Sequence, residues 1–134
     1  MRRTGLRLAA LAALLFALPM AVLAGSPHQV HDVTITISGA TLTASGKEAG
    51  LGDEDQVHIV LTATASCVNP GNNKPQAANK ETLTAEGDFP VQNGKADFTL
   101  SVTATFQPSC SPPMTVEFSD VTVVDTTNGI QLYP

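Results

Sequence analysis

Polar and apolar residues alternate along two long segments of the chain, and this alternation predicts strands that bury one face. In the first segment the apolar residues share one parity: Val57, Ile59, Leu61, Ala63, Ala65 and Cys67. In the second segment the apolar residues are Phe98, Leu100, Val102, Ala104 and Phe106. Threonine, serine and charged residues fill most of the opposite parity in both segments. The two segments are therefore expected to be the central strands of the fold.

Shorter alternating segments complete the predicted set of strands. These lie near residues 30–38, 40–47, 56–67, 80–87, 95–106 and 114–124, with a short last strand near 130–133. The apolar parity changes between Phe118 and Val121. A β-bulge near Ser119 and Asp120 would add one residue there and keep both apolar sets inward.

Two Asn-Gly dipeptides mark tight turns, because this pair tolerates the positive φ angles of two-residue hairpins. They are Asn93-Gly94 and Asn128-Gly129, and each predicts a hairpin. No segment after residue 25 shows helical periodicity with caps at both ends. Alternating strands need a second sheet to cover their apolar face, so an antiparallel β-sandwich is expected, with a closed barrel as the alternative.

The first 24 residues resemble a cleavable export signal. Arginines precede an apolar run that ends at Pro19, and small residues before Gly25 fit a cleavage site. The run is too short to span a bilayer core comfortably. We therefore expect a signal peptide over residues 1–24 and a single domain over residues 25–134 that is secreted or extracellular. A periplasmic or cell-envelope location is the alternative, and no membrane insertion is expected after cleavage.

The charge of the exported domain excludes several partners. It keeps four lysines and no arginine against twelve acidic residues, which gives a formal net charge of −8. Phosphate backbones and anionic lipid surfaces are bound by clustered cations, which this domain lacks. Nucleic acid is therefore not an expected partner, and an extracellular protein or a cell-surface partner is.

The two cysteines, Cys67 and Cys110, are expected to form a disulfide, as a pair usually does in a small secreted domain. On the chain-entropy estimate a bridge of this span contributes about 4 kcal/mol to stability. The predicted fold is therefore all-β, an immunoglobulin-like antiparallel β-sandwich of six to seven strands with one disulfide. The tryptophan of true immunoglobulin domains is missing, so the likeness is one of architecture.

Short motifs around the cysteines carry a resemblance to a known group of proteins. They are Cys67-Val68-Asn69-Pro70-Gly71-Asn72-Asn73, Pro75, Asn79-Lys80, Cys110-Ser111-Pro112-Pro113-Met114-Thr115-Val116 and Phe118-Ser119-Asp120-Val121-Thr122. Over residues 56–124 the chain resembles small secreted bacterial β-proteins that have a signal peptide, one disulfide and no assigned activity. Members commonly carry an aromatic residue at or beside the position of Met114. The resemblance supports the expected fold and compartment and implies no functional residue.

An acidic turn is the candidate metal site. Asp53, Glu54 and Asp55 follow a glycine-rich segment, and calcium prefers carboxylate and carbonyl oxygens. Consecutive side chains seldom converge on one ion, and the spacing is not that of an EF-hand loop. A solvated acidic turn is therefore expected, with calcium binding as the alternative, and no cofactor is expected.

The segment from Val68 to Asn79 is the candidate partner loop. It is the longest irregular segment and is rich in amides and prolines, and Asn69, Asn72, Asn73 and Lys74 are its candidate contact residues. A structural crossover between strands is the alternative. Threonine ladders are a second candidate surface, at Thr62 and Thr64 and at Thr99, Thr103 and Thr105, although exposed strands also favour threonine for its β-propensity alone.

No catalytic residue is predicted. A Gly-x-Ser-x-Gly elbow is missing, and the strand histidine His58 has no partner that the sequence identifies. Glu81 and Glu86 could be paired as in a glycosidase, but the chain lacks the aromatic platforms on which sugars stack. The expected function is a non-enzymatic extracellular surface or interaction module. The alternative is a secreted protein that binds a small ligand or a metal ion.

Overall fold

The computed structural model describes residues 25–71 and 79–134, and within them it contains strands and no helix. The predicted signal peptide therefore lies outside the described residues. The strands are β1 (His28–Gln29), β2 (Thr34–Ser38), β3 (Thr41–Ala49), β4 (Gln56–Val68), β5 (Lys80–Pro90), β6 (Ala96–Thr103), β7 (Thr115–Asp125) and β8 (Ile130–Tyr133). Within the described residues there is accordingly no helix that could cross a membrane.

The strands form two antiparallel four-stranded sheets. In the β3 sheet, β3 pairs with β6 on one side and with β1 and β2 on the other. In the β4 sheet the order is β5-β4-β7-β8. The all-β fold of two antiparallel sheets is confirmed. The structure has eight strands where six or seven were predicted, because β1, with only two residues, is too short to produce an alternating pattern.

The inward faces of the two sheets share one apolar core. It combines Leu42 and Phe98 of the β3 sheet with Ile59, Leu61 and Val123 of the β4 sheet, all of them buried. These residues occupy the apolar parities found in the sequence. The alternation thus assigns the core face of the long strands, and burying these side chains supplies the main driving force for stacking the sheets.

Gly46 of β3 leaves room for an aromatic ring of the neighbouring strand β6. It is paired with Phe98, and a Cβ atom at Gly46 would lie 2.7 Å from the Phe98 ring. The ring therefore covers the position that a larger residue would occupy. Phe98 also meets Phe89 of β5 edge to face, with ring centroids 6.2 Å apart, which joins the two sheets.

The predicted bulge in β7 is confirmed. Thr62 of β4 pairs with Thr122 and Thr64 pairs with Ser119, so one residue of β4 opposes two residues of β7. Asp120 lies in the bulge and adopts a positive φ of 50°. The extra residue turns the later part of β7 so that Val123 faces the core, as the change of parity required.

Both predicted hairpins are confirmed, but they connect the strands differently. Asn128-Gly129 lies in the connection from β7 to β8, which pair as a hairpin within one sheet. Asn93-Gly94 forms a tight turn with φ angles of 52° and 73°, and Gln92 and Lys95 exchange two backbone hydrogen bonds around it as an antiparallel pair. This pairing stops after one residue on each side, because the chain passes there from β5 in one sheet to β6 in the other.

Candidate functional site

The outer face of the β3 sheet carries an array of hydroxyl side chains, which we call the hydroxyl face. The strand registers place them in three rows of three across β2, β3 and β6. The rows are Thr34, Ser45 and Thr99, then Thr36, Thr43 and Ser101, then Ser38, Thr41 and Thr103. In regular strands such positions repeat about every 4.8 Å across the sheet and about every 6.8 Å along it. The result is a periodic surface of short polar groups.

Neighbouring hydroxyls of this face bond to one another across the strands. The side-chain oxygens of Thr41 and Thr103 lie 2.9 Å apart, and those of Thr43 and Ser101 lie 2.8 Å apart. These bonds fix the orientation of four of the nine hydroxyl groups. This part of the face therefore presents ordered donors and acceptors.

The hydroxyl face ends in a shallow depression of about 340 Å³. Its lining includes Thr34, Ser45 and Thr99 of the first row, together with Asp32, Lys47 and Asp97. The Lys47 ammonium lies 3.4 Å from the Asp97 carboxylate, and both side chains are exposed. An exposed pair of this kind contributes little to stability, so its charges are available to a ligand. The depression thus joins the first row of uncharged hydroxyls to a group of charged side chains.

A second cluster lies inside the sandwich, at the end where β3 and β7 finish. Glu48 and Asp125 are both fully buried. Asp125 is well supplied with donors: one oxygen accepts the backbone N–H groups of Thr127 at 2.8 Å and Asn128 at 3.1 Å, and the other accepts the Asn128 side-chain amide at 2.7 Å. Neither oxygen of Glu48 accepts a hydrogen bond from an N–H or O–H group of the described residues. The two carboxyl groups are therefore chemically unequal.

This environment keeps Glu48 protonated at neutral pH. Burial, a hydrogen bond to Asp125 and the negative charges of Asp125 and Glu54, in that order, together raise the pKa of the Glu48 carboxyl from 4.5 to about 8. Two carboxylates cannot hydrogen-bond to each other, but a proton on Glu48 lets it donate to Asp125. The pair thus shares one proton.

The acidic turn does not act as one unit. Asp53 and Asp55 are exposed, whereas Glu54 is partly buried and accepts a hydrogen bond from the Asn128 side chain at 3.2 Å. Within residues 25–71 and 79–134 no group of three or more histidine, cysteine, aspartate or glutamate side chains is arranged to hold a metal ion. The turn thus supplies one side chain to the Asp125 cluster and two to solvent.

His58 is held between two carboxylates on the outer face of the β4 sheet. Its Nδ1 lies 2.7 Å from Asp88 and its Nε2 lies 3.5 Å from Glu86. The hydrogen bond to Asp88 is the main cause that raises the pKa of His58. Glu81 lies on the other face of β5 from Glu86 and accepts the backbone N–H of Thr105 at 2.7 Å. Glu81 and Glu86 therefore do not form a pair.

The disulfide lies at the opposite end of the sandwich from the acid pair. Cys67 in β4 is bonded to Cys110 in the connection between β6 and β7, with Cα atoms 5.7 Å apart, so the predicted bridge is confirmed. The Met114 sulfur lies 3.8 Å from the Cys67 sulfur. In the candidate partner loop, the Asn69 side chain accepts the N–H of Gly71 at 3.3 Å. Asn72, Asn73 and Lys74 lie outside the described residues.

Sequence reasoning found the threonine ladders but not their arrangement. Thr99 and Thr103 belong to the hydroxyl face, whereas Thr62 and Thr64 lie on the outer face of the other sheet. Comparison with known proteins adds no assignment: no protein-family model, curated protein or solved structure matches this chain. The hydroxyl face and the acid pair are therefore interpreted from their own chemistry.

Proposed function

We propose that this protein is a secreted, non-enzymatic interaction module that binds an extracellular or cell-surface partner through its hydroxyl face. The observation that carries the proposal is the array of nine serine and threonine side chains in three registered rows, with no charged residue among them. The fold is proposed to be an immunoglobulin-like sandwich, a scaffold that presents strand faces and loops on a rigid core.

The lack of charge on this face makes it suitable for binding. Covering a charged group removes strong hydration, whereas a hydroxyl that finds a new partner loses little free energy. Protein interfaces are accordingly depleted of charged residues at their centres. The domain has twelve acidic residues, and none of them lies at these nine adjacent outward-facing positions. The charged depression beside the first row adds groups that can select an orientation.

The outer face of the β4 sheet has the composition of an ordinary solvated surface. It mixes threonines with Lys80, His58, Glu86, Asp88 and Glu117. Charges of both signs on such a face favour solubility. The two outer faces therefore differ in charge, and charge determines how much hydration must be removed when a partner covers a face.

Two features support a role without catalysis. Both cysteines are held in the disulfide, which removes the thiol as a nucleophile. The His58 ring has a carboxylate at each nitrogen, so the protonated form is favoured over the neutral form that a general base requires. The disulfide is also consistent with an oxidising compartment, in agreement with the proposed secretion.

The proposal is tested by matched lysine substitutions on the two outer faces. Thr43 and Thr62 are each partly buried and central in their sheets, so Thr43→Lys and Thr62→Lys differ mainly in which face they charge. Each substitution is expected to cost about 1 kcal/mol of stability, because both side chains are partly buried and Thr43 loses its hydrogen bond to Ser101, so both variants stay folded. We expect Thr43→Lys to lower partner capture from the native extracellular fluid at least tenfold and Thr62→Lys to preserve it.

The same experiment tests the candidate partner loop as the alternative binding surface. Replacing Asn72-Asn73-Lys74 by Gly-Ser-Gly is expected to leave capture unchanged. If this variant loses capture and Thr43→Lys keeps it, with melting temperatures unaltered, the hydroxyl face is not the binding surface and the loop takes its place.

A further inference from the structure

Strand β2 forms an exposed edge of the β3 sheet that lacks the usual protection. It is paired with β3 on one side, and no described strand pairs with its other side. Its five residues, Thr34–Ser38, contain no charge and no proline. Ile37 is 53% exposed, the largest such exposure of an apolar side chain among the described residues. Edges of this kind are templates for pairing with another strand.

The other edges are protected. Strand β5 carries Lys80, Glu86 and Asp88 and ends at Pro90. Strand β8 has only four residues and is followed by Pro134. Strand β6, at the far edge of the β3 sheet, carries Asp97 and contacts β5. Charges, prolines and short length are the common means by which edge-to-edge pairing is prevented. The remaining edge strand, β1, has only two residues, so β2 differs from every other described edge.

The sequence of β2 is symmetric in residue type about its central residue. In an antiparallel pairing of two copies with Thr36 on the twofold axis, Thr34 of one strand faces Ser38 of the other, and Ile35 faces Ile37. Hydroxyls then meet hydroxyls on the outer face and isoleucines meet isoleucines on the inner face, and cross-strand pairs of like chemistry stabilise a sheet. The exposed Ile37 gains an apolar neighbour.

We propose that the partner of this edge is a second copy of the same chain, bound by antiparallel β2–β2 pairing around Thr36. The pairing is isologous and closes as a dimer, so it does not propagate into a fibre. It joins the two β3 sheets and extends the hydroxyl rows across both copies. The net charge of each domain opposes approach at long range, whereas the edge itself has no charge that would oppose contact. This inference is independent of the proposed partner-binding function.

Sedimentation equilibrium of the protein purified from the culture medium tests the dimer. The wild type is expected to show an average mass that rises with concentration toward twice that of the monomer. Thr36→Lys places two like charges opposite each other at the twofold axis and is expected to remain monomeric at the same concentrations. Thr84→Lys is the control, because Thr84 is an exposed threonine on the outer face of the edge strand β5. It is expected to dimerise as the wild type does.

Cysteine cross-linking tests the register. Residue 36 faces itself across the axis, so Thr36→Cys is expected to give a covalent dimer under mild oxidation, whereas Thr34→Cys, which faces residue 38, is not. A wild type that stays monomeric at all concentrations overturns the proposal. It is also overturned if Thr36→Lys dimerises as well as Thr84→Lys, or if Thr34→Cys cross-links as readily as Thr36→Cys.

Discussion

Replacing Cys67 and Cys110 together by alanine is expected to lower the free energy of unfolding by about 4 kcal/mol, because the bridge removes loop-closure entropy from the unfolded chain. The closed segment is long, with a sequence separation of 43. For a domain of this size the loss corresponds to a fall in melting temperature of about 15 °C. Calorimetry of the variant and the wild type measures it directly.

The disulfide prediction has two controls. Unfolded wild-type protein is expected to show no reactive thiol, and wild type treated with a reductant is expected to melt like the double-alanine variant. A loss of less than about 1 kcal/mol, the size of an average point mutation, would mean that the bridge does not stabilise the sandwich.

Glu48→Gln is expected to increase stability at alkaline pH and to leave it nearly unchanged below pH 4.5. The pKa of Glu48 is raised to about 8 in the folded protein, from 4.5, so the folded state holds a proton that the unfolded state releases between these values. The contribution of this proton to the free energy of unfolding is fully present below about pH 4.5. It decreases as the pH rises toward 8, by up to about 1.4 kcal/mol per pH unit. Glutamine keeps a donor for Asp125 without titrating.

Urea unfolding of wild type and Glu48→Gln at several pH values between 4 and 9 measures this difference. Glu117→Gln is the control, since Glu117 is exposed near the start of β7, is not among the groups that raise the pKa of Glu48, and is expected to keep the wild-type slope. Parallel pH profiles for wild type and Glu48→Gln would contradict the shared proton.

Millimolar calcium is expected to leave the melting curve unchanged. A saturable rise in melting temperature that Glu48→Gln abolishes would show that the carboxyl groups hold an ion instead.

The sequence predicts most of the fold because burial follows the period of a strand. Alternation identified the core faces of β4 and β6, and the parity change in β7 located its bulge. The short hairpin at Asn93-Gly94 shows the limit of this reasoning, because the strands on its two sides enter different sheets. A turn dipeptide encodes backbone angles, whereas the choice between pairing in one sheet and crossing to the other depends on contacts of the whole core.

The acid pair could have been anticipated from the same alternation. Glu48 continues the inward parity of Leu42 and Ala44, and Asp125 continues that of Val123. Their partnership could not be predicted, because it depends on how β3 and β7 meet across the two sheets. Adjacency in the sequence instead favours Asp53, Glu54 and Asp55 as the candidate site. Only Glu54 of these three reaches the cluster.

The hydroxyl face was partly predictable. Each strand shows its threonine parity, but the rows depend on the registers of β2 with β3 and of β3 with β6. Residues of β3 and β6 that share a row, such as Thr41 and Thr103, are far apart in sequence. The sequence also conceals the contrast between the two outer faces, because the strands of the two sheets are interleaved along the chain.

Site-specific photo-cross-linking tests the central claim most directly. A photoreactive residue is placed at position 43 or at position 62, and each protein is irradiated in its native extracellular fluid. If the hydroxyl face binds the partner, the same partner is cross-linked from position 43 and not from position 62. Cross-linking from position 62 with none from position 43 would show that the hydroxyl face is not where this protein binds.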